Sequence, residues 1–258
     1  MSLKTAAKFA RRELRGGIKG FRIFLACLTL GVAAIAGVGS VKSAIQAGLS
    51  DQGAVLLGGD AEAQFTYRFA TDEERAWLES RSTALSEVTD FRSMVVVGEG
   101  DTAERGLTQV KSVDDAYPLL GDMMLSPDIP LPQALDGTAA LPGAVMAPLL
   151  ADRLGIAPGD TFKLADKQFH LSAVIETEPD DTGGGFSLGP RTMVRTTDLI
   201  GTGLLEPGTL FETEYRMLLP EGTDLDAIKA EAEDRYRDTG IRWRDSRNGA
   251  PGTARFVD

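Results

Sequence analysis

From Ile23 to Val41 the chain runs nineteen residues without a charge, and just before them stand Lys4, Lys8, Arg11, Arg12, Arg15, Lys19 and Arg22 against one acid, Glu13. No other feature limits the fold as strongly. At about 1.5 Å per helical residue this run extends roughly 28 Å, close to the ~30 Å hydrocarbon thickness of a bilayer. A cleaved export signal needs a short basic region and an apolar stretch of about 7–15 residues. Here the basic region is twenty-two residues long and the apolar run is longer than that range. The expectation is a retained transmembrane helix over 23–41, ahead of a removed signal or a buried core helix. Positive flanks stay inside, so residues 1–22 are expected to be a cytoplasmic basic segment and the main domain to lie on the periplasmic or extracytoplasmic side of the inner membrane.

Thr29, Ala33 and Gly37 stand four apart on one face of that helix. Small side chains let a second helix approach closely, which makes these three the candidate membrane helix packing positions, with further transmembrane helices and membrane lipids as partners. Past the run, Val41, Ile45 and Leu49 keep an i, i+4 apolar stripe. This predicts a helix continuing outward as a stalk to about Gly53. Residues 4–22 allow two readings. Ala6, Phe9, Ala10 and Leu14 could form the apolar face of a helix lying along the inner membrane surface, or the segment is the ordinary basic flank of an anchor.

Charge and cysteine use narrow the rest. Residues 1–42 carry a net +7 in a chain of −11, so residues 43–258 carry −18. So acidic an exported part repels nucleic acid and anionic lipid, and no nucleic-acid partner is expected. The single cysteine, Cys27, lies inside the apolar run. Residues 54–258 therefore have no disulfide and must be held by their core.

Within that part, alternation of Ala63, Phe65, Tyr67 and Phe69 predicts a strand, and Thr71 with Glu74 a capping box that opens a helix. "EVTDFRSMVVV" and "RGLTQVKSV" predict a hairpin joined by the turn at Gly98. Six prolines between Tyr117 and Pro148 predict an irregular crossing over 117–148, separating two subdomains if the domain is divided. A short helix with Val145, Leu149, Leu150 and Leu154 on one face follows, stopped at Gly155, and then a hairpin of "DTFKLA" and "QFHLSAVIE". Beyond the loop "DTGGGFSLGP" come the strand "TEYRMLLP", a helix with Leu225, Ile228 and Tyr236 on one face, and a last strand "IRWRDS". Irregular alternation of helices and strands predicts an α+β fold with a mixed, mostly antiparallel sheet and short helices.

These residues carry a resemblance. "FARRELRGGIKGFRIFLACLTLGVAAIAGVGSV" resembles the first transmembrane segment of FtsX-like, MacB-type ABC transporter permeases, in particular the large predicted permeases encoded beside a lipoprotein-release-type ATPase. "LADRLGIAPGDTFKLADKQFHLSAVIETEPD" resembles the helix-and-hairpin unit of their periplasmic domains, and "YPLLG" at Tyr117 resembles the large-permease subgroup. The resemblance implies a MacB-like periplasmic core domain over 54–258 and a cytoplasmic ABC ATPase subunit as partner. It also implies motion of the outer domain with ATP hydrolysis, and export or extraction of lipid, lipoprotein or hydrophobic cargo. Such permeases have at least four membrane helices and this chain shows one, so the 258 residues are expected to be an N-terminal portion. The alternative is a single-anchor periplasmic binding or signalling protein complete at Asp258.

No constellation for covalent chemistry is expected: catalytic, cofactor-binding and metal residues are all read as none. His170, the one histidine, alternates with Phe169 and Leu171 and falls on the wetter face of its strand. Without a second histidine, a triad or a His-based zinc site lacks parts. "DDTGGGFSLG" lacks the Gly-Lys-Ser/Thr ending of a phosphate loop. Glu176, Glu178, Asp180 and Asp181 are expected to form a solvated acidic edge rather than a calcium site.

Overall fold

The computed structural model describes residues 24–37, 53–180, 189–206 and 208–248. The chain divides into two compact units, Met1–Leu49 and Ser50–Asp258. In the first, residues 24–37 form a helix, α1, exposed along its whole length. Phe24, Leu28, Leu30, Val32 and Ile35 all point outward. A helix apolar on every side is stable only where lipid or other protein covers it. Its fourteen described residues span about 21 Å. Among the described residues no helix is long and apolar enough to cross a membrane. The remainder of the expected span, Ile23 and Val38 to Val41, lies outside them, as do the stalk positions Val41, Ile45 and Leu49.

The second unit opens with a helical turn, α2, at residues 53–57. Then come β1 (Ala61–Thr66), α3 (Asp72–Arg81), β2 (Ala84–Val97), β3 (Glu104–Val113), β4 (Met124–Ser126), α4 (Leu131–Asp136), β5 (Gly143–Met146) and α5 (Pro148–Leu154). They are followed by β6 (Thr161–Leu164), β7 (Lys167–Thr177), β8 (Arg191–Arg195), β9 (Phe211–Leu218), α6 (Leu225–Arg235) and β10 (Arg242–Asp245). The strands make one sheet in the order β10-β1-β9-β2-β3-β8-β5-β7-β4, with β6 pairing to β2 and β7. Among the described strands only β3–β8 and β5–β7 run parallel. The α+β class with a mixed, mostly antiparallel sheet is therefore as the sequence indicates.

That order closes on itself. β2 pairs with β3, β3 with β8, β8 with β5, β5 with β7, β7 with β6, and β6 returns to β2 through Val95↔Leu164 and Val96↔Lys163. The six strands form a small barrel filled by Phe91, Val95, Val110, Met146, Phe162, Leu164, Phe169, Leu171 and Val194. Leu150 and Leu154 of α5 pack over Gly106 of β3, where a Cβ would strike Leu150 at 2.7 Å. Closure leaves these strands no unpaired edge. From the first half of β2 the sheet instead continues as an open base, β9-β1-β10, whose inner face packs Ala61, Phe65, Tyr215 and Met217 against Trp77 and Leu78 of α3 and Ile228 of α6. A third cluster, on the opposite face, joins Val88, Val113 and Met193 to Leu131 and Leu135 of α4.

Several local expectations hold. Thr71 and Glu74 form both halves of the capping box, Gly155 ends α5 in a left-handed conformation, and β10 falls on "RWRD". Others are corrected. The first strand ends at Thr66, because Tyr67 turns to φ 60° and is exposed. Val145 belongs to β5, and Leu149 is exposed at 71%. The proline-rich stretch contains β4, α4 and β5, for Pro132 and Pro148 sit in the first turns of α4 and α5, where a missing N–H costs no hydrogen bond. "GGGFSL" and the residues beside it, 181–188, lie outside the described residues.

Candidate functional site

Strand alternation in the base sends Phe65, Tyr215 and Met217 to the helix-covered face and Glu62, Glu214 and Arg216 to the other. A half-buried sheet would leave that second face wet. Here it is covered: Glu62 is 2% exposed, Arg216 6%, Lys111 1% and Asp180 5%. The cover comes from the α2–β1 connection, from Tyr117 in the segment after β3, and from the acidic segment after β7.

The buried charges form a continuous chain. Arg244 Nη2 of β10 lies 2.6 Å from Glu62 Oε1 of β1 and 3.5 Å from Glu214 Oε1 of β9. Glu214 accepts from Arg216 Nη2 at 2.8 Å, and Arg216 Nη1 donates to Asp180. Lys111 Nζ of β3 donates to Asp180 Oδ2 and Glu178 Oε1, each at 2.6 Å, and to the Tyr117 hydroxyl at 3.2 Å. The Tyr117 hydroxyl donates in turn to Asp180 Oδ1 at 2.6 Å. Arg191 of β8 continues from Glu178 (3.3 Å) to Asp90 of β2 (2.6 Å). Four cations and five carboxylates thus link the outer strand of the base to the barrel.

The field inside this chain is uneven. Burial pushes the Lys111 ammonium down to about 8, with Arg216 adding repulsion and Glu178 opposing both. Burial alone would raise Glu178, but Lys111 and Arg191 outweigh it and hold that carboxyl below its ordinary range. Glu214 goes the other way, raised well above it by burial and by the nearby Glu62 and Asp90. Burial also raises Glu62, against Arg244 and Arg216. The Glu62/Glu214 pair, on the outer side of the cluster, is therefore where a proton is held most readily.

The incoming chain rests on this site. Gly58, at φ 76°, lies over Arg216, and a Cβ there would meet the guanidinium at 2.7 Å; one on Gly59 would meet the Met217 carbonyl at 2.8 Å. The outgoing chain is beside it, since Ser246 N donates to Asp60 O at 2.9 Å. Among the described residues no group of His, Cys, Asp and Glu could hold a metal ion. The arrangement contains no activated nucleophile and no solvent-facing acid–base pair. What it can do is fix the geometry between the point where the chain enters and the barrel.

The sequence-derived sites lie elsewhere. Thr29, Ala33 and Gly37 are on exposed α1, and a Cβ added to Gly37 meets nothing within 4 Å. The acidic edge is corrected: Glu178 and Asp180 are not solvated, because Lys111 and Arg216 draw both carboxylates under the loops. Two traces of this were present in the sequence. Lys111 interrupts the apolar "QVKSV", and Gly58–Gly59 precedes β1 where a plain turn needs only one glycine. Neither says which charges meet.

No family model matches the chain. It is 31% identical over 193 residues, 73% of its length, to the uncharacterized ABC transporter permease YbbP of Escherichia coli K12, and it spans 22% of that relative. Among solved structures, the periplasmic region of MacB from Actinobacillus actinomycetemcomitans aligns at TM-score 0.46 and 9% identity over 73% of this chain and 90% of that one. The extracellular domain of the noncanonic ABC-type transporter YknZ from Gram-positive bacteria aligns at 0.45 and 10%, covering 72% and 98%. A domain of a putative permease from Porphyromonas gingivalis aligns at 0.45 and 14%, covering 72% and 89%. The resemblance to ABC transporter permeases read from the sequence is matched by the YbbP similarity, which is too extensive to rest on the apolar run alone.

Proposed function

We propose, from that resemblance, that the chain is a portion of a membrane-spanning permease subunit of an ABC transporter. In this reading α1 belongs to a membrane helix over 23–41 with its N-terminus cytoplasmic, and residues 54–258 form the extracytoplasmic domain. A separate cytoplasmic subunit hydrolyses ATP, and the domain moves in response, exporting or extracting lipid, lipoprotein or another hydrophobic cargo. The observation that carries the reading is the 31% identity over 73% of the chain. The outward-facing apolar α1 behind a +6 flank supports it, since such a helix needs lipid or further helices around it. Thr29, Ala33 and Gly37 would seat the neighbouring helix, and Val41, Ile45 and Leu49 would stiffen the stalk.

Two glycines inserted after Ala47 test this reading. They cost the local helix about 1 kcal/mol each, too little to unfold the domain. Transport-linked function of the assembled permease should fall while the melting temperature of the domain stays unchanged. Full activity would favour a binding module on a tether. An N-terminus of the mature protein found near residue 40 or 50 would remove the anchor altogether.

A further inference from the structure

β2 passes from the base into the barrel, flanked by β9 and β3, but on the helix-covered face the apolar packing is interrupted along the way. Tyr215 and Met217 belong to the cluster of the base, while Phe211, Phe91, Val110 and Val194 belong to that of the barrel. Between the two lies a row of buried hydroxyls crossing the strands: Thr213 opposite Thr89, and Thr89 opposite Ser112. Thr196 Oγ1 extends the row, 3.2 Å from Ser112 Oγ. Among the described residues the Thr89 and Thr213 hydroxyls have no hydrogen-bond partner. This belt has neither the close apolar contact found on its two sides nor a polar bond between β9 and β2 side chains.

On the opposite face the ionic chain bridges the same line, beside Val88 and Val113 of the third apolar cluster. Glu62, Glu214 and Arg216 stand on the base side, and Lys111, Asp90 and Arg191 on the barrel side. Asp180 bonds to both Arg216 and Lys111. We propose that the hydroxyl belt is a transverse hinge in the sheet, and that Asp180 is the clasp holding it in one orientation. The clasp sits under Gly58, so displacement of the incoming chain acts directly on Arg216. The use of this motion in transport rests on the permease reading; the hinge itself does not.

Hydrogen exchange of the intact 258-residue chain, wild type against Asp180→Asn, tests the hinge. The substitution keeps the shape and removes the charge that Lys111 and Arg216 share. Amides of 86–91, 110–113 and 211–215 should exchange at least tenfold faster, while those of β5 and β7 in the barrel keep their wild-type rates. Equal acceleration in barrel and base, or none at the belt, overturns the hinge. If Asp180→Asn does not fold, Asp180→Asn with Arg216→Met, which removes both charges, gives the same readout. In the assembled permease the folded variant should keep its ATPase rate and lose at least tenfold in transport. Belt acceleration with unchanged transport leaves the hinge standing and refutes its role in transport. Loss of transport in the two-glycine stalk variant but not in Asp180→Asn separates that refutation from a failure of the permease reading.

Discussion

The barrel and the base share the long strand β2 and are held by different forces. The barrel is closed by backbone pairing all round and filled with apolar side chains, including the stacked Phe162 and Phe169, 5.9 Å apart. The base is an open sheet with one apolar face and one buried ionic face. Apolar packing is non-directional and tolerates small displacements, whereas a buried ion pair is worth its desolvation cost only at close range and in good geometry. The base should therefore be the more sensitive region, both to charge and to where the incoming chain sits.

Lys111→Met tests the contrast most severely. It leaves Glu178 and Asp180 without their shared cation, and urea unfolding at pH 7 should show a loss of about 3–5 kcal/mol. Part of that loss should return at low pH, where the orphaned carboxylates take up protons; a loss independent of pH would break the comparison. Leu164→Ala in the barrel should cost about 2–4 kcal/mol by cavity formation, equally at pH 7 and pH 5.

A smaller effect is expected at α3. Burial opposes ionisation of Glu74, but the Arg68 guanidinium and the Thr71 amide prevail and hold it down to about 2. Its folded value lies below its unfolded one, so its stabilisation is complete above about pH 4.5 and is lost as pH falls towards 2. Glu74→Gln should cost about 1–2 kcal/mol at pH 7, with the gap to wild type closing below pH 4 in acid titrations followed by circular dichroism. Thr71→Ala, which removes the other half of the box, should cost about 1 kcal/mol. Gly37→Leu should leave the domain's unfolding midpoint unmoved while disrupting assembly of the permease, as measured by co-purification; unchanged assembly would make the small residues of α1 incidental.

Much of this was legible in local pattern. The capping box at Thr71, the stop at Gly155 and the β2–β3 hairpin depend on residues close in sequence, and period-2 alternation placed Phe169, Leu171, Ala173 and Ile175 on the buried face of β7. What was not legible depends on distant partners. Barrel closure needs Val95 to meet Leu164, and the ionic chain needs Arg244 to reach Glu62 and Asp180 to reach Arg216. Alternation by itself puts Glu62, Glu214 and Arg216 on the open side of their strands, and nothing local announces that loops cover it. For the same reason Glu178 and Asp180 looked like a wet acidic edge.

The hydrogen bond from Ser246 to Asp60 has one more consequence. It holds the last described residues of the second unit beside the start of β1, so the two ends of that unit adjoin. A unit with adjoining ends can be inserted into a surface turn of an unrelated protein, or cut out and replaced by a few residues, without changing the separation of what flanks it. Residues 53–248 are therefore a unit of the kind that can be transplanted whole, its two ends entering and leaving at one point of the host.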